Sequence, residues 1–149
     1  MRQSTLISPY GGKLVNLVVA EDERSDLFEF ASELPSIQLS RRETCDLELL
    51  AEGGFSPLRS FMSGRDFDRV VDEMRLADGT VFPIPITLGV NSLDGISVGS
   101  SIALRDKKND LLAVLNVEDI YEWDRERFLA NVLSTKDPRH PLVTESARW

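Results

Sequence analysis

The sequence predicts an α+β fold with a small, mainly antiparallel sheet or open barrel, and three observations lead there. Helical spacings of apolar residues concentrate before residue 79, β-type apolar runs come mostly after it, and no linker, repeat or low-complexity stretch divides the chain. A chain of 149 residues buries roughly 68–70% of the surface it exposes when unfolded, enough for one core without disulfides or metals.

The elements follow in order. Pro9-Tyr10-Gly11-Gly12 punctuates the chain as a turn, and the β-branched run at 14–19 reads as a strand. Residues 21–34 open with acids, which suit a helix N-terminus, and carry Leu27, Phe28, Ala31 and Leu34 on one face before Pro35 stops the pattern. Ser40 followed by Glu43 has capping-box spacing, Leu47, Leu50 and Ala51 line one face, and Gly53-Gly54 ends the helix. The loop at 55–62 is apolar for a connection, so its Phe and Met side chains should be covered. Ser63 and Asp66 start another helix, with Phe67, Val70, Val71 and Met74 at i, i+3, i+4 and i+7, and Asp78-Gly79 turns the chain. Residues 81–88 look like a strand, but Pro83 and Pro85 remove two amides from the same side and confine it to an edge or a barrel rim. Apolar runs at 102–105 and 111–117 flank the polar stretch 106–110, a hairpin signature. Phe128, Leu129 and Val132 give residues 124–133 helical spacing, which Asp137-Pro138-Arg139-His140-Pro141 breaks.

Composition narrows the chemistry. Lys+Arg number 17 against 25 Asp+Glu, a formal net charge of −8, which repels polyphosphate backbones and anionic lipid. A nucleic-acid or membrane-surface partner is therefore disfavoured. The single cysteine, Cys45, rules out an internal disulfide framework and multi-cysteine zinc sites, and a reducing, cytoplasmic setting is expected. No apolar run approaches the ~20 residues of a membrane span, and the start at Met1-Arg2-Gln3-Ser4-Thr5 leads into no signal-like stretch. With one histidine, His140, sites built on several imidazoles are excluded from this chain.

Each chemically suggestive group has a structural reading beside it. Gly53-Gly54 lacks the rest of a phosphate loop and reads as a helix C-cap. The pairs Asp46/Glu48 and Asp72/Glu73 could serve acid–base or magnesium chemistry, yet their spacing equally gives solvated helix faces. Cys45 lies among acids, the opposite of the cationic surroundings a nucleophilic thiolate needs. His140, between two prolines, reads as a backbone-bonded loop residue before a general base. Arg105, Lys107 and Lys108 interleave with Asp106 and Asp110 as a solvated hairpin tip. The residues by themselves assign no catalytic, cofactor-binding or metal-binding group.

A set of ordered blocks says more. Ile7-Ser8-Pro9-Tyr10-Gly11-Gly12-Lys13-Leu14-Val15-Asn16-Leu17, Cys45-Asp46-Leu47-Glu48-Leu49-Leu50, Gly53-Gly54-Phe55-Ser56-Pro57-Leu58, Phe61-Met62, Met74-Arg75-Leu76-Ala77-Asp78-Gly79 and Pro83-Ile84-Pro85-Ile86-Thr87-Leu88 resemble the N-terminal PUA-like domain of the ATP sulfurylase (sulfate adenylyltransferase) family. So do Ile102-Ala103-Leu104-Arg105-Asp106, Leu112-Ala113-Val114-Leu115, Val117-Glu118-Asp119-Ile120-Tyr121 and Thr135-Lys136-Asp137-Pro138-Arg139-His140-Pro141. The likeness covers nearly the whole chain and is greatest to bacterial forms, some of which carry an adenylylsulfate kinase domain. It implies a small mixed or antiparallel β pseudo-barrel with flanking helices over residues 1–149. Ser60 departs from the glycine usual before Phe-Met. The family's catalytic signature Gln-x-Arg-Asn-Pro-x-His-x-x-His and its Gly-Arg-Asp-His-Ala-Gly loop are absent before Trp149, and Gly64-Arg65-Asp66 continues with Phe67, as a helix start.

The resemblance implies a catalytically silent part of an enzyme that makes adenylyl sulfate and pyrophosphate from ATP and sulfate. ATP with Mg would belong to the full-length enzyme, with no cofactor in this chain. The partners implied are the catalytic domain of the same enzyme and, at full length, further copies in a homo-oligomer. Phe55, Ser56, Pro57, Leu58, Phe61 and Met62 are the candidate interface with that catalytic domain, against the alternative that this loop fills the domain's own core. A free-standing PUA-like module binding RNA or protein is the competing class, and the dispersed basic residues weigh against RNA.

Overall fold

Three strands and five α-helices build the α+β architecture, in a computed structural model that describes residues 7–148. The expectations for the start of the chain and for its end at Trp149 lie outside those residues. The order is α1 (Arg24–Ser32), β1 (Ser36–Gln38), α2 (Arg41–Glu52), α3 (Gly64–Glu73), β2 (Ser101–Arg105), β3 (Leu111–Asn116), α4 (Arg125–Asn131) and α5 (Pro141–Glu145).

Local chemistry sets the helix ends. At α2, Ser40 Oγ accepts from Glu43 N while the Glu43 carboxylate accepts from Ser40 N at 2.8 Å, the reciprocal capping box that the spacing predicts. Gly53 closes α2 in the left-handed region at φ 86°, with its N–H donating to Leu50 O. Ser63 caps α3 through Asp66 N, and Asp124 caps α4 through Arg127 N. A 3-10 turn at Glu21–Glu23 leads into α1, which ends at Ser32, two residues before the predicted end. Pro141 occupies the first turn of α5, a helix the sequence reading does not anticipate; the prolines that break α4's pattern also pre-set the next helix.

The sheet order is β1-β2-β3. β2 and β3 form the expected antiparallel hairpin, with Ile102 opposite Leu115 and Leu104 opposite Ala113. Its tip is held by Asp106 Oδ1, which accepts from Lys108 N and Asp110 N, and by Asn109 at φ 71°. β1 runs parallel to β2, with Ser36 opposite Ala103, so the sheet is mixed, as the resemblance implies.

Two predicted strands do not form. Residues 14–19 are extended, but their hydrogen bonds go to the end of α2 and the loop after it, from Leu17 N to Ala51 O and from Val15 N to Ser56 Oγ, and among the described residues no strand lies alongside. At 81–88 the single ladder contact is an isolated bridge between Arg75 and Val81, because Pro83 and Pro85 cannot donate. Met62 N still reaches Ile86 O at 2.9 Å, which fixes this segment beside the 55–62 loop.

Three apolar clusters make the interior. The first joins Leu50, Leu58, Met62, Val70, Leu76, Phe82 and Ile86; the second Phe67, Val71, Phe128, Leu129 and Val143; the third Leu39, Ile102, Leu104 and Val117. α3 links the first two, because Val70 faces one and Phe67 and Val71 the other.

Candidate functional site

The 55–62 loop is built from the end of α2. Once Gly53 has turned the chain, Phe55 N donates to Leu49 O and Ser56 N to Gly53 O, and Ser56 Oγ donates to Gly53 O at 2.7 Å. The same hydroxyl accepts from Val15 N, so a buried serine ties the N-terminal segment to the loop. Ser60 tolerates the departure from glycine: the described non-glycine residues with positive φ are Met74, Asn109 and Ser134.

The six candidate interface residues divide by burial. Ser56, Leu58 and Met62 are buried, the last two within the first apolar cluster. Phe55, Pro57 and Phe61 are half-buried. Phe55 lies against Phe82 with ring centroids 6.3 Å apart, and Phe61 packs against both the first and third clusters.

Phe61 also lies on the wall between two clefts. One, about 240 Å³, is bounded by Phe61, Met62, the 87–90 segment, the far end of β3 and Tyr121, with Arg42, Glu118 and Asp119 as its charged lining. The other, about 540 Å³, runs between the extended 17–19 segment, Leu27 and Phe28 of α1, Leu47 to Ala51 of α2, and β3.

Sequence reasoning misses Asp119 and Tyr121, which tie a distant segment to the loop. Asp119 Oδ2 accepts from Gly64 N at 2.8 Å, and the Tyr121 hydroxyl donates to Met62 O at 3.0 Å. Burial, with the Asp119, Asp68 and Asp66 carboxylates nearby, pushes the Tyr121 phenol above its ordinary range and keeps it protonated as a donor. These contacts span 55 and 59 residues, so no local spacing could have announced them.

The acidic pairs are engaged separately. Asp46 pairs with Arg42 at 2.8 Å, while Asp72 and Asp68 clasp Arg127 from α3 to α4 at 2.5 and 2.7 Å. Glu73 pairs with Arg69 along α3. Desolvation raises the Asp46 carboxyl against the pull of Arg42, whereas the Arg127 hydrogen bond holds Asp72 below its ordinary value. Glu48 is exposed on α2, and Asp72 and Glu73 are engaged by different arginines, Arg127 and Arg69. Cys45 is exposed, and His140 stands before α5 with its N–H donating to Asp137 O and its carbonyl accepting from Val143 N. Gly64 and Asp66 start α3, with Asp66 Oδ1 accepting from Ala77 N. Among the described residues no group of three or more His, Cys, Asp or Glu side chains could hold a metal ion, and no helix is long and apolar enough to cross a membrane.

Known proteins are similar to this chain over most of its length. A sulfate adenylyltransferase of Phaeosphaeria nodorum is 45% identical over 91% of the chain, which covers 25% of that relative. Those of Persephonella marina and Nostoc punctiforme are 40% and 42% identical over 93% and 92% of the chain, each covered to 36%. The chain thus spans between a quarter and about a third of the relatives it matches, fungal and bacterial alike. Among solved structures, a hexameric APS kinase from Thiobacillus denitrificans superposes with a TM-score of 0.71 and 39% identity, over 79% of this chain and 24% of that one. The PUA-like domain model matches residues 7–148, and the chain belongs to that family.

Proposed function

We propose that this chain is the non-catalytic N-terminal domain of a sulfate adenylyltransferase, an enzyme joining ATP and sulfate into adenylyl sulfate with release of pyrophosphate. The observation that carries this reading is 40–45% identity over more than nine-tenths of the chain to proteins of that name, of which it makes up 25–36%. In the reaction a sulfate oxygen attacks the α-phosphorus, and catalysis depends on positioning and on cationic neutralisation of the phosphate charge. In this reading ATP and Mg belong to the catalytic part, and this domain's contribution is mechanical. The half-buried rim of the 55–62 loop, Phe55, Pro57 and Phe61, is the proposed contact with that part. Leu58 and Met62 beneath it make the rim rigid, because both are locked in the first cluster. A cytoplasmic setting and assembly into a homo-oligomer complete the reading; the hexameric neighbour supports the latter. The test is Phe61→Ala in the full-length enzyme: a contact role predicts loss of thermal coupling between the domain and the catalytic part, and wild-type coupling overturns it.

A further inference from the structure

Residues 82–100 carry neither helix nor strand, a long irregular stretch for so small a fold. In compact domains, connections longer than about 12–15 residues without secondary structure usually serve as lids or binding loops. Both ends of this one are tied down: Met62 N donates to Ile86 O at 2.9 Å, and Gly99 N to Val117 O at 2.8 Å, with Val117 N returning to Ser100 O. Between these anchors, among the described residues, one hydrogen bond reaches the rest of the molecule, from Gly89 N to Glu43 Oε1 at 3.2 Å. The other bonds of the segment are local turns, from Ile96 N to Leu93 O, from Asp94 N to Ser92 Oγ, and between Ser97 and Ser100.

Packing adds two footholds. Leu88 and Ile96 rest half-buried against the third apolar cluster, while Val90 and Leu93 between them are 42% and 49% exposed. Those four side chains form one wall of the 240 Å³ cleft, whose other walls include Phe61, Tyr121 and the sheet. A segment with fixed ends, two apolar footholds and a single cross-chain hydrogen bond opens far more readily than the core. The acceptor sits on the rigid side: Glu43 is buried, its Oε2 closes the α2 cap through Ser40 N, and Arg42 Nη2 stands 3.9 Å from Oε1.

We propose that residues 87–98 are a strap over this cleft that opens and closes as one unit, with the Glu43 carboxylate as its latch. Closed, Leu88 and Ile96 cover the third cluster and the cleft keeps its wall. Open, with Ile86 and Gly99 still anchored, the cleft lining at Ile102 and Val117 is bared to solvent. Because one carboxylate both caps α2 and holds the strap, the helix start and the cleft are linked. This device does not rest on the enzyme reading.

Amide hydrogen exchange of the 149-residue chain, corrected for intrinsic rates, tests it. Gly89 and Ile96 should exchange through one shared opening, at least about 10-fold faster than Ala103, whose N–H is bonded to Pro35 O in the sheet. Glu43→Gln keeps one acceptor oxygen and loses the charge. It should speed Ile96 about 10-fold further relative to Ala103, although the bond from Ile96 to Leu93 O is untouched. In a Trp149→Phe background the same variant should leave the Trp123 indole, on the cleft wall, more open to acrylamide quenching. Ser40→Ala removes the cap hydroxyl and leaves the latch, so the ratio of Ile96 to Ala103 should not change. Exchange of Gly89 and Ile96 at the Ala103 rate in the unsubstituted chain overturns the proposal, and decides the matter if Glu43→Gln fails to fold. So does a Glu43→Gln chain in which Gly89 quickens while Ile96 and Trp123 do not follow.

Discussion

The Glu43 carboxylate is buried yet occupied, with one oxygen accepting from Ser40 N and the other from Gly89 N, 46 residues away. Glu43→Ala leaves two amides without their acceptor and should cost about 2 kcal/mol in chemical denaturation. Ser40→Ala, which removes only the cap, should cost about 1 kcal/mol. Asp46 and Asp72 should titrate in opposite directions. Because the Arg127 hydrogen bond lowers Asp72, its contribution to stability is present above the unfolded aspartate value and is lost as pH falls through the folded one. Burial raises Asp46 in the folded state, so its advantage belongs to low pH and disappears as pH rises through its folded value. Carboxyl NMR titration should place Asp46 above the ordinary aspartate value and Asp72 below it, and salt should move Asp72 back toward that value. The reverse order contradicts the electrostatic assignment.

Among the elements, the join between α2 and the 55–62 loop has the least tolerance for change. A Cβ on Gly53 would stand 2.3 Å from Val15 O, at a φ of 86° that a side chain disfavours. Gly53→Ala should therefore lower stability by about 2–3 kcal/mol and release residues 14–19, read as faster exchange of the Leu17 amide. What was legible in the sequence follows from how far each signal reaches. The α2 capping box, the Gly53 stop and the β2–β3 hairpin are made within one stretch of chain, and all three form as predicted. Residues 14–19 have the composition of a strand but, among the described residues, no strand beside them, so pattern alone could not decide their state. β1 escaped because three residues give no periodicity and its partner Ala103 lies 67 positions after Ser36. The candidate interface loop was legible only as apolar; which of its residues point inward depends on Ile86, Phe82 and Tyr121, from segments far along the chain.

At the scale of the molecule, three apolar clusters joined through α3 and Phe61 hold the helices and the mixed sheet together. Arg127 strengthens the α3–α4 seam from outside by clasping Asp68 and Asp72. Arg127→Ala should cost no more than about 1 kcal/mol, because the cluster is exposed and screened by salt. The candidate site owes more to resemblance than to spacing: Asp46, Asp72 and Glu73 are engaged by three different arginines, and the blocks along the chain, with the matched relatives, identify the domain. The central claim is that this domain supports an enzyme whose chemistry resides elsewhere. Its most direct test is ATP formation from adenylyl sulfate and pyrophosphate, measured with the purified 149-residue chain alone and then mixed with a separately expressed catalytic part. Silence alone and activity raised on mixing is the predicted result; turnover by the chain alone would contradict it.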